Sequence, residues 1–207
     1  MNFLFMILIG YVFGCLQFSY FIGLIFAKTD IRTLGHGNAG ASNAFQSLGW
    51  RFGVVVGILD ILKAIAAIVL AKMLFPQMAL ENSPLVAYIT GAAVIIGHNY
   101  PFYMKFKGGK GTASNVGLLF ALDWRLGLIT VLIVLAVTLI TDYISIGTMS
   151  MLAVMLLYNL IMKLSPLCNL IALGLALQSF IKHIPNFKRI SKKEENGLRK
   201  ALKKNRA

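Results

Sequence analysis

Long apolar segments alternate with short polar stretches along almost the whole chain. Because about 20 predominantly apolar residues cross a bilayer as a helix, this alternation predicts a series of membrane helices. We expect them over residues 3–27, 52–75, 85–96, 113–122, 126–140, 146–162 and 166–181. The fourth segment is too short to cross alone and is expected to lean on its neighbours or to begin inside a cavity. The pattern predicts an all-α, polytopic integral membrane protein with about seven transmembrane helices.

The stretches that join these segments also carry signals. Residues 76–84 begin and end with proline and are expected to form a short external connection, and residues 141–148 a brief polar break. No basic residue precedes the first apolar run, which is too long for the apolar region of a signal peptide, so we predict a membrane helix there. Gln17 and Ser19 interrupt that helix and are expected to pack against a neighbour.

Composition and charge support the membrane class. Of the 207 residues, 58% are hydrophobic and only 13% are charged, which a soluble domain of this size cannot accommodate. The net charge is +13, and ten of the twenty basic residues lie near the C-terminus: Lys182, Lys188, Arg189, Lys192, Lys193, Arg199, Lys200, Lys203, Lys204 and Arg206. This cluster favours a basic cytoplasmic tail over residues 191–207 that faces anionic lipid, rather than a nucleic-acid site.

The positive-inside rule gives the orientation. With the tail inside, the basic stretches 28–51 and 104–112 also fall inside, so the N-terminus is predicted outside and the C-terminus in the cytoplasm. Asp60 and Lys63 are three residues apart on the second segment and are expected to form a structural ion pair, in preference to a ligand contact. Cys15 and Cys168 lie in apolar runs and are interpreted as buried thiols.

The polar stretch 97–114 is the strongest candidate for a functional site. Gly108, Gly109 and Gly111 free the backbone for tight turns and let amides approach a ligand, and the three lysines of the stretch add positive charge. These features favour a phosphate site. A cytoplasmic loop whose lysines follow the positive-inside rule would use the same residue types, and both interpretations are open at this stage.

Other chemistries find little support in the sequence. His36, His98 and His183 all fall in the predicted cytoplasmic stretches, but no His-x-x-x-His spacing exists and carboxylates are sparse, so no metal or other cofactor is expected. A Gly-x-Ser-x-Gly elbow is also absent from the sequence, so a nucleophilic serine is not predicted. What remains is a basic, amide-rich pocket at the membrane surface, suited to a phosphorylated small molecule and a lipid-soluble partner.

Three segments resemble the three motifs of the bacterial acyl-phosphate:glycerol-3-phosphate acyltransferase family (PlsY), and the similarity extends over essentially the whole chain. The first motif, Gly-Ser-Gly-Asn-x-Gly-Ala-Thr-Asn, corresponds to residues 35–43. The second, Gly-His-x-aromatic-Pro followed by Phe-Lys-Gly-Gly-Lys-Gly, is intact at residues 97–101 and 106–111. The third, His-x-x-Asn-x-x-Arg with a later Gly-x-Glu, is matched by His183, Asn186, Arg189 and Glu195, and two shorter matches are Asp60 with Lys63 and Tyr143 with Ser145.

The resemblance implies a multi-pass enzyme of the bacterial plasma membrane, with a single transmembrane acyltransferase domain over residues 1–190 and a cytoplasmic active site. Such enzymes move a fatty acyl group from acyl phosphate to the 1-hydroxyl of glycerol 3-phosphate, which gives lysophosphatidic acid and phosphate. The implied partners are these two substrates and the lipid bilayer, without metal, cofactor or nucleic acid.

The resemblance also assigns roles to residues. Lys110 with the amides of Gly108, Gly109 and Gly111 would hold a phosphate, and His183 with Asn186 would orient glycerol 3-phosphate. Further substrate- or phosphate-binding positions are Gly37, Asn38, Gly40, Ser42, Asn43, His98, Lys107, Ser145, Arg189 and Glu195. An acyl phosphate is already activated, so positioning and charge stabilisation suffice, and the departing phosphate can take the hydroxyl proton. His183 as general base is the alternative.

Four positions depart from the family pattern. His36 stands where the family has serine, Gln46 where it has arginine, Ser42 where it has threonine, and Lys193 where it has glycine. Loss of the arginine removes a planar, bidentate phosphate ligand. Two alternatives are therefore kept: a degenerate paralogue with another acceptor or a non-catalytic membrane role, and a transporter of phosphorylated metabolites. A transporter should show internal repeats, and the sequence shows none.

Overall fold

The computed structural model describes residues 2–204, and all regular secondary structure in that range is helical. The predicted all-α class is therefore confirmed. The α-helices are α1 (Asn2–Gly14), α2 (Phe18–Ala27), α3 (Ala41–Ser47), α4 (Trp50–Leu74), α5 (Pro76–Asn99), α6 (Thr112–Leu122), α7 (Trp124–Thr141), α8 (Ile144–Ile161), α9 (Pro166–Ser191) and α10 (Leu198–Lys204). Two 3-10 turns, Ile31–Thr33 and Phe102–Met104, lie in the loops.

Within the described residues, six helical stretches are long and apolar enough to cross a membrane. They are Asn2–Ala27, Trp50–Leu74, Pro76–Met104, Trp124–Thr141, Ile144–Ile161 and Pro166–Ser191. Helix α6 is apolar but has only 11 residues. This matches the short fourth segment, while the count of seven spans and the orientation of the termini stay predictions.

The chain forms two compact units, Met1–Gly127 and Leu128–Ala207. In the first unit, small residues let α1 and α5 approach closely. A side chain at Gly10 would overlap the carbonyl oxygen of Thr90 and come within 2.7 Å of Ala93 Cβ, and one at Gly97 would overlap the carbonyl oxygen of Tyr11. Such close backbone contact is how membrane helices gain packing energy where lipid gives no hydrophobic drive.

The short helix α6 leans on α4, as the sequence analysis expected. A Cβ at Gly117 would lie 2.5 Å from the carbonyl oxygen of Ile61, so the two backbones are in contact. Ser114 to Leu119 are all buried, and Leu118 packs on Gly91 of α5. Burial against α4 and α5 explains how α6, too short to cross a membrane alone, is stabilised.

The first apolar segment is not one continuous helix. It breaks at Cys15–Gln17, between α1 and α2, and the prediction of a single helix over 3–27 was wrong. Gln17 is buried at the break, where its Nε2 donates to the carbonyl oxygens of His98 at 2.9 Å and Gly14 at 3.3 Å. The expectation that Gln17 packs against a neighbouring helix is confirmed.

The predicted connection over 76–84 is itself mostly helical, and its external position stays a prediction. Pro76 begins α5, and the one non-helical residue in this stretch is Asn82, with φ −152° and ψ 72°. Asn82 Oδ1 accepts the amide of Leu85 at 3.0 Å, so Asn82 caps the helix that follows. Pro84 then falls in a first turn, where its missing N–H has no intrahelical partner to lose. Helix α5 also continues to Asn99, so part of the predicted polar loop is helical.

In the second unit, α8 packs on α9, and the helices are longer than predicted. The polar break is only Asp142 and Tyr143, because Ser145 and Thr148 already belong to α8. Helix α9 runs to Ser191, ten residues past its predicted end at 181. Leu198 donates its amide to the carbonyl oxygen of Asp142 at 2.9 Å, which holds α10 at the α7–α8 turn.

The predicted basic tail is described only in part. Residues 191–204 include the helix α10, whereas Arg206 lies outside the described residues, as do the side chains of Lys203 and Lys204. The contact of α10 with the α7–α8 turn puts both at one end of the second unit. Cys15 and Cys168 are free and buried, as expected.

The close α1–α5 contact predicts a steric penalty. Gly10→Ala should lower stability by about 1–3 kcal/mol, because the added methyl group meets a backbone oxygen that cannot move aside. Gly174→Ala is the matched control, since a Cβ at this helical glycine meets nothing within 4 Å. Thermal unfolding in detergent measures both, and equal effects would contradict the packing.

Candidate active site

Three polar side chains meet inside the first unit. Lys63 Nζ lies 2.7 Å from Asp60 Oδ1 and 3.0 Å from His98 Nδ1, and all three side chains are buried. Lys63 also donates to the carbonyl oxygens of Leu16 at 2.7 Å and Gly14 at 3.2 Å. The predicted ion pair is confirmed, and the structure adds that its ammonium satisfies the carbonyls left open where α1 breaks.

The glycine–lysine loop, residues 100–111, follows directly from His98 and Asn99. The amide of Gly108 donates to the carbonyl oxygen of Asn99 at 3.2 Å, and that of Gly109 to the carbonyl oxygen of His98 at 3.0 Å. A side chain at Gly108 would overlap this oxygen of His98, and one at Gly109 would overlap His98 Nε2. A side chain fits at neither Gly108 nor Gly109, and both of their amides already donate to carbonyl oxygens of the protein.

The loop ends at Gly111, which has φ +82° and immediately precedes α6. This left-handed conformation favours glycine, and Asn115 stabilises the turn by donating Nδ2 to the carbonyl oxygen of Gly111 at 2.9 Å. Sequence reasoning did not single out Asn115, although a buried amide side chain on an apolar helix was a signal. Lys110 is half-buried beside Gly111, whereas Lys107 is exposed.

The first motif is organised by Asn43. Its Nδ2 lies within 3.1 Å of the carbonyl oxygens of Ile31, Leu34 and Asn38, and its Oδ1 accepts the amide of His36 at 2.8 Å. With 1% exposure, this side chain holds the loop together from within.

The remaining residues of the motif lie around Asn43. The Oδ1 of Asn38 accepts the amide of Gly40 at 3.2 Å, and Gly37 has φ +71°. Ser42 and Gln46 are both half-buried on α3.

The first and second motifs touch each other. The amide of Ala39 donates to the carbonyl oxygen of Gly108 at 3.2 Å, and Arg32 Nη1 donates to that of Met104 at 2.8 Å.

Arg32 also pairs with Asp30; this hydrogen-bonded contact lowers the pKa of Asp30. The stabilisation by this pair is present above the ordinary carboxyl pKa and is lost as the pH falls through the lowered value. Sequence reasoning did not single out Asp30 and Arg32 as an ion pair, although an acid and a base two positions apart were a signal for one.

The third motif lies in the second unit, on the last turns of α9. His183, Asn186 and Arg189 are spaced three residues apart, so they lie close together on successive turns of the helix. Glu195 accepts from Asn186 Nδ2 at 2.6 Å with one carboxylate oxygen and from Arg189 Nε with the other. His183 Nδ1 lies 2.8 Å from the carbonyl oxygen of Ser179. Glu195 thus fixes two of the candidate residues, and Ser179 orients the third.

The turn after α9 explains one departure from the family pattern. Lys193 has φ +59°, its amide donates to the carbonyl oxygen of Ile190, and that of Glu194 donates to Arg189. These bonds form a Schellman motif, in which the position of Lys193 usually carries glycine. Lysine is tolerated here at a conformational cost. Ser145, also in this unit, is buried in the first turn of α8.

The structure brings residues 35–43 and 98–111 together in the first unit and residues 183–195 together in the second. Among the described residues, no group of three or more His, Cys, Asp or Glu side chains is placed to hold a metal ion.

Comparison with known proteins identifies the fold and its sequence family together. The family model described as glycerol-3-phosphate acyltransferase matches residues 4–193. The chain belongs to this family. Glycerol-3-phosphate acyltransferase 1 of Oceanobacillus iheyensis is 44% identical over 194 residues, which are 92% of each chain. Glycerol-3-phosphate acyltransferase of Thermoanaerobacter pseudethanolicus is 35% identical over 92% of this chain and 93% of that relative.

The protein has the same fold as two crystal structures of PlsY (YgiH), an integral membrane glycerol 3-phosphate acyltransferase. The glycerol 3-phosphate form has a TM-score of 0.85 at 28% identity and covers 96% of each chain. The lysophosphatidic acid form has a TM-score of 0.82 at 27% identity and covers 98% of this chain and 99% of that chain. The protein is thus a membrane acyltransferase, and the recognition made from the three motifs is confirmed.

The Schellman turn predicts that Lys193→Gly stabilises the protein by about 1 kcal/mol, because glycine adopts a left-handed conformation without the steric penalty of a Cβ atom. Lys192→Gly is the matched control, since Lys192 has φ −89° and gains nothing from glycine. Unfolding midpoints in detergent measure the effect. A lower midpoint for Lys193→Gly would contradict this account of the turn.

Proposed function

We propose that the protein transfers a fatty acyl group from acyl phosphate to the 1-hydroxyl of glycerol 3-phosphate. The ester bond forms at this hydroxyl, the bond between the acyl carbon and the phosphate oxygen breaks, and the hydroxyl proton leaves with the phosphate. The products are lysophosphatidic acid and inorganic phosphate. The observation that carries the proposal is the junction of the first motif with the glycine–lysine loop through Ala39 and Gly108.

The phosphate contact is assigned to the neighbourhood of Lys110. Lysine supplies positive charge, and Gly111 lets the chain turn directly into α6 beside it. Gly108 and Gly109 contribute by lacking side chains, which leaves the backbone against His98, rather than by donating their amides. Asn43 contributes by holding the first-motif loop, so Asn38 and Ser42 are the polar groups of that loop assigned to substrate.

The acceptor is assigned to the third motif. A carbonyl oxygen only accepts hydrogen bonds, so the contact with Ser179 places the proton of a neutral His183 on Nδ1 and leaves Nε2 as an acceptor. An accepting Nε2 suits a hydroxyl group of glycerol 3-phosphate. Arg189 offers a cation for its phosphate, while Glu195 keeps Arg189 and Asn186 in place.

Catalysis needs no protein nucleophile in this scheme. Acyl phosphate is a mixed anhydride, so binding both substrates in line and stabilising the charge of the leaving phosphate are sufficient. The leaving phosphate can take the hydroxyl proton itself, with His183 Nε2 as the alternative base. We place the reaction at the cytoplasmic face of a bacterial inner membrane, on the positive-inside distribution of basic residues.

A second candidate is a paralogue that uses another acceptor, which the replacement of the family arginine by Gln46 favours. One assay separates the two functions. Purified protein in detergent or lipidic mesophase is mixed with palmitoyl phosphate and glycerol 3-phosphate, and phosphate release and lysophosphatidic acid are followed, with acyl-CoA as control donor. Product from acyl phosphate alone is expected. A folded protein that gives no product would overturn the proposal and favour the second candidate.

Lys110 is predicted to be essential for this turnover. Lys110→Ala should nearly abolish product formation because it removes the cation beside the glycine turn. Lys200→Ala removes an exposed lysine of α10 and should leave the rate almost unchanged. Equal losses in the two variants would show that the general positive charge matters and that the phosphate site lies elsewhere.

Gln46 is predicted to be a weakness of the site. Gln46→Arg should raise kcat or lower the KM for glycerol 3-phosphate, because a guanidinium group binds phosphate with two parallel hydrogen bonds and a full charge. Initial rates over a range of both substrates measure this. A fall in kcat/KM would mean that the pocket is built around glutamine.

A further inference from the structure

Lys63 links the break in the first span to the glycine–lysine loop. On one side its ammonium donates to the carbonyl oxygens of Gly14 and Leu16, and on the other it lies 3.0 Å from His98 Nδ1. The opposite ring nitrogen, His98 Nε2, lies where a side chain at Gly109 would be. A continuous chain of contacts therefore runs from α4 through His98 to the loop.

The hydrogen-bond inventory restricts the protonation of His98. An ammonium group has three N–H donors and no acceptor, so in the hydrogen bond between Lys63 and His98 it is Nδ1 that accepts. A neutral imidazole with an accepting Nδ1 carries its proton on Nε2. The other candidate partner, Asp60 Oδ1, is 3.5 Å from Nδ1 but 2.7 Å from Lys63 Nζ, so the carboxylate pairs with the lysine.

The backbone of His98 is fixed from the same direction. Its carbonyl oxygen accepts both the side chain of Gln17 at 2.9 Å and the amide of Gly109 at 3.0 Å. The ring and the backbone of His98 thus both border the loop. Lys63 of α4 holds the ring, and Gln17 at the break of the first span holds the backbone.

We propose that Lys63 is a positioning residue for phosphate binding: through Nδ1 it holds His98 as the Nε2–H tautomer, which presents a donor to the loop at Gly109. The inference rests on the proposed function in placing a phosphate at this loop. The other tautomer would present a lone pair to the loop and repel an anion bound there. Lys63 itself touches neither substrate and acts through His98.

The alternative is a structural role alone, in which Lys63 neutralises Asp60 and caps the open carbonyls of the break. Both roles predict that a substitution weakens the fold. Both roles also leave His98 Nδ1 as the acceptor of Lys63. Only the positioning role predicts an effect on turnover that depends on the presence of His98.

The tautomer is measured directly by NMR of the ring nitrogens in protein labelled with ¹⁵N-histidine, at pH 8. The chain has three histidines, and His36→Ser and His183→Gln variants identify the signals of the other two. Wild-type protein should show His98 with an unprotonated Nδ1 and a protonated Nε2. A protonated Nδ1, alone or together with Nε2, overturns the proposal without any need for a variant of Lys63.

A variant then tests the cause. In Lys63→Met the polar atom left near Nδ1 is Asp60 Oδ1, an acceptor 3.5 Å away, so the proton should move to Nδ1. Lys72→Met is the matched control, because Lys72 lies on the same helix and donates to the carbonyl oxygen of Ala121 instead. It should leave the His98 signals unchanged. An unchanged tautomer in folded Lys63→Met would contradict the proposal.

Kinetics test the link to function through a double-mutant cycle. Lys63→Met should lower kcat/KM by about 10- to 100-fold in the wild-type background and by much less in a His98→Gln background. Lys72→Met should stay within about twofold in both. Equal losses from Lys63→Met in the two backgrounds would show that it acts without His98. If the wild type itself does not use acyl phosphate, the proposed function fails, while the NMR result still decides the tautomer.

Discussion

A single buried ammonium group holds together the part of the first unit in which we propose the phosphate site. Lys63 pairs with Asp60, contacts His98 and satisfies two carbonyl oxygens at the break of the first span. Removing one partner of a buried ion pair typically costs about 3–5 kcal/mol, because the remaining charge is left unpaired in a medium of low dielectric constant. The break, the end of α5 and the start of the glycine–lysine loop all depend on this contact.

The proposed acyl transfer depends on a rigid binding site more than on reactive side chains. An activated donor needs a pocket that binds phosphate and brings an alcohol into line with the acyl carbon. Within each unit, the polar groups of the motif loops are used to hold those loops in place. Asn43 joins four backbone groups, Gly108 and Gly109 use their amides against the end of α5, and Glu195 holds Asn186 and Arg189.

Hydropathy predicted the helices well and their ends poorly, for identifiable reasons. Prolines at 76 and 84 suggested only a short connection between helices, but both occupy first turns, where proline is tolerated, so the connection is largely helical. Polar residues after 181 suggested a tail, yet they continue α9 with His183 and Asn186 buried. The candidate site residues are proposed from the motifs by resemblance. Their hydrogen-bond partners, such as His98 with Lys63, lie far apart in sequence, and no local pattern records them.

In the proposed reaction the acyl group passes directly from phosphate to glycerol 3-phosphate, without an acyl-enzyme. Isotope exchange distinguishes the two routes: protein is incubated with palmitoyl phosphate and labelled inorganic phosphate in the absence of glycerol 3-phosphate, and label is followed into the acyl phosphate. Direct transfer predicts no exchange until the acceptor is added. Rapid exchange without acceptor, together with an acyl adduct in the mass spectrum of the intact protein, would contradict the account.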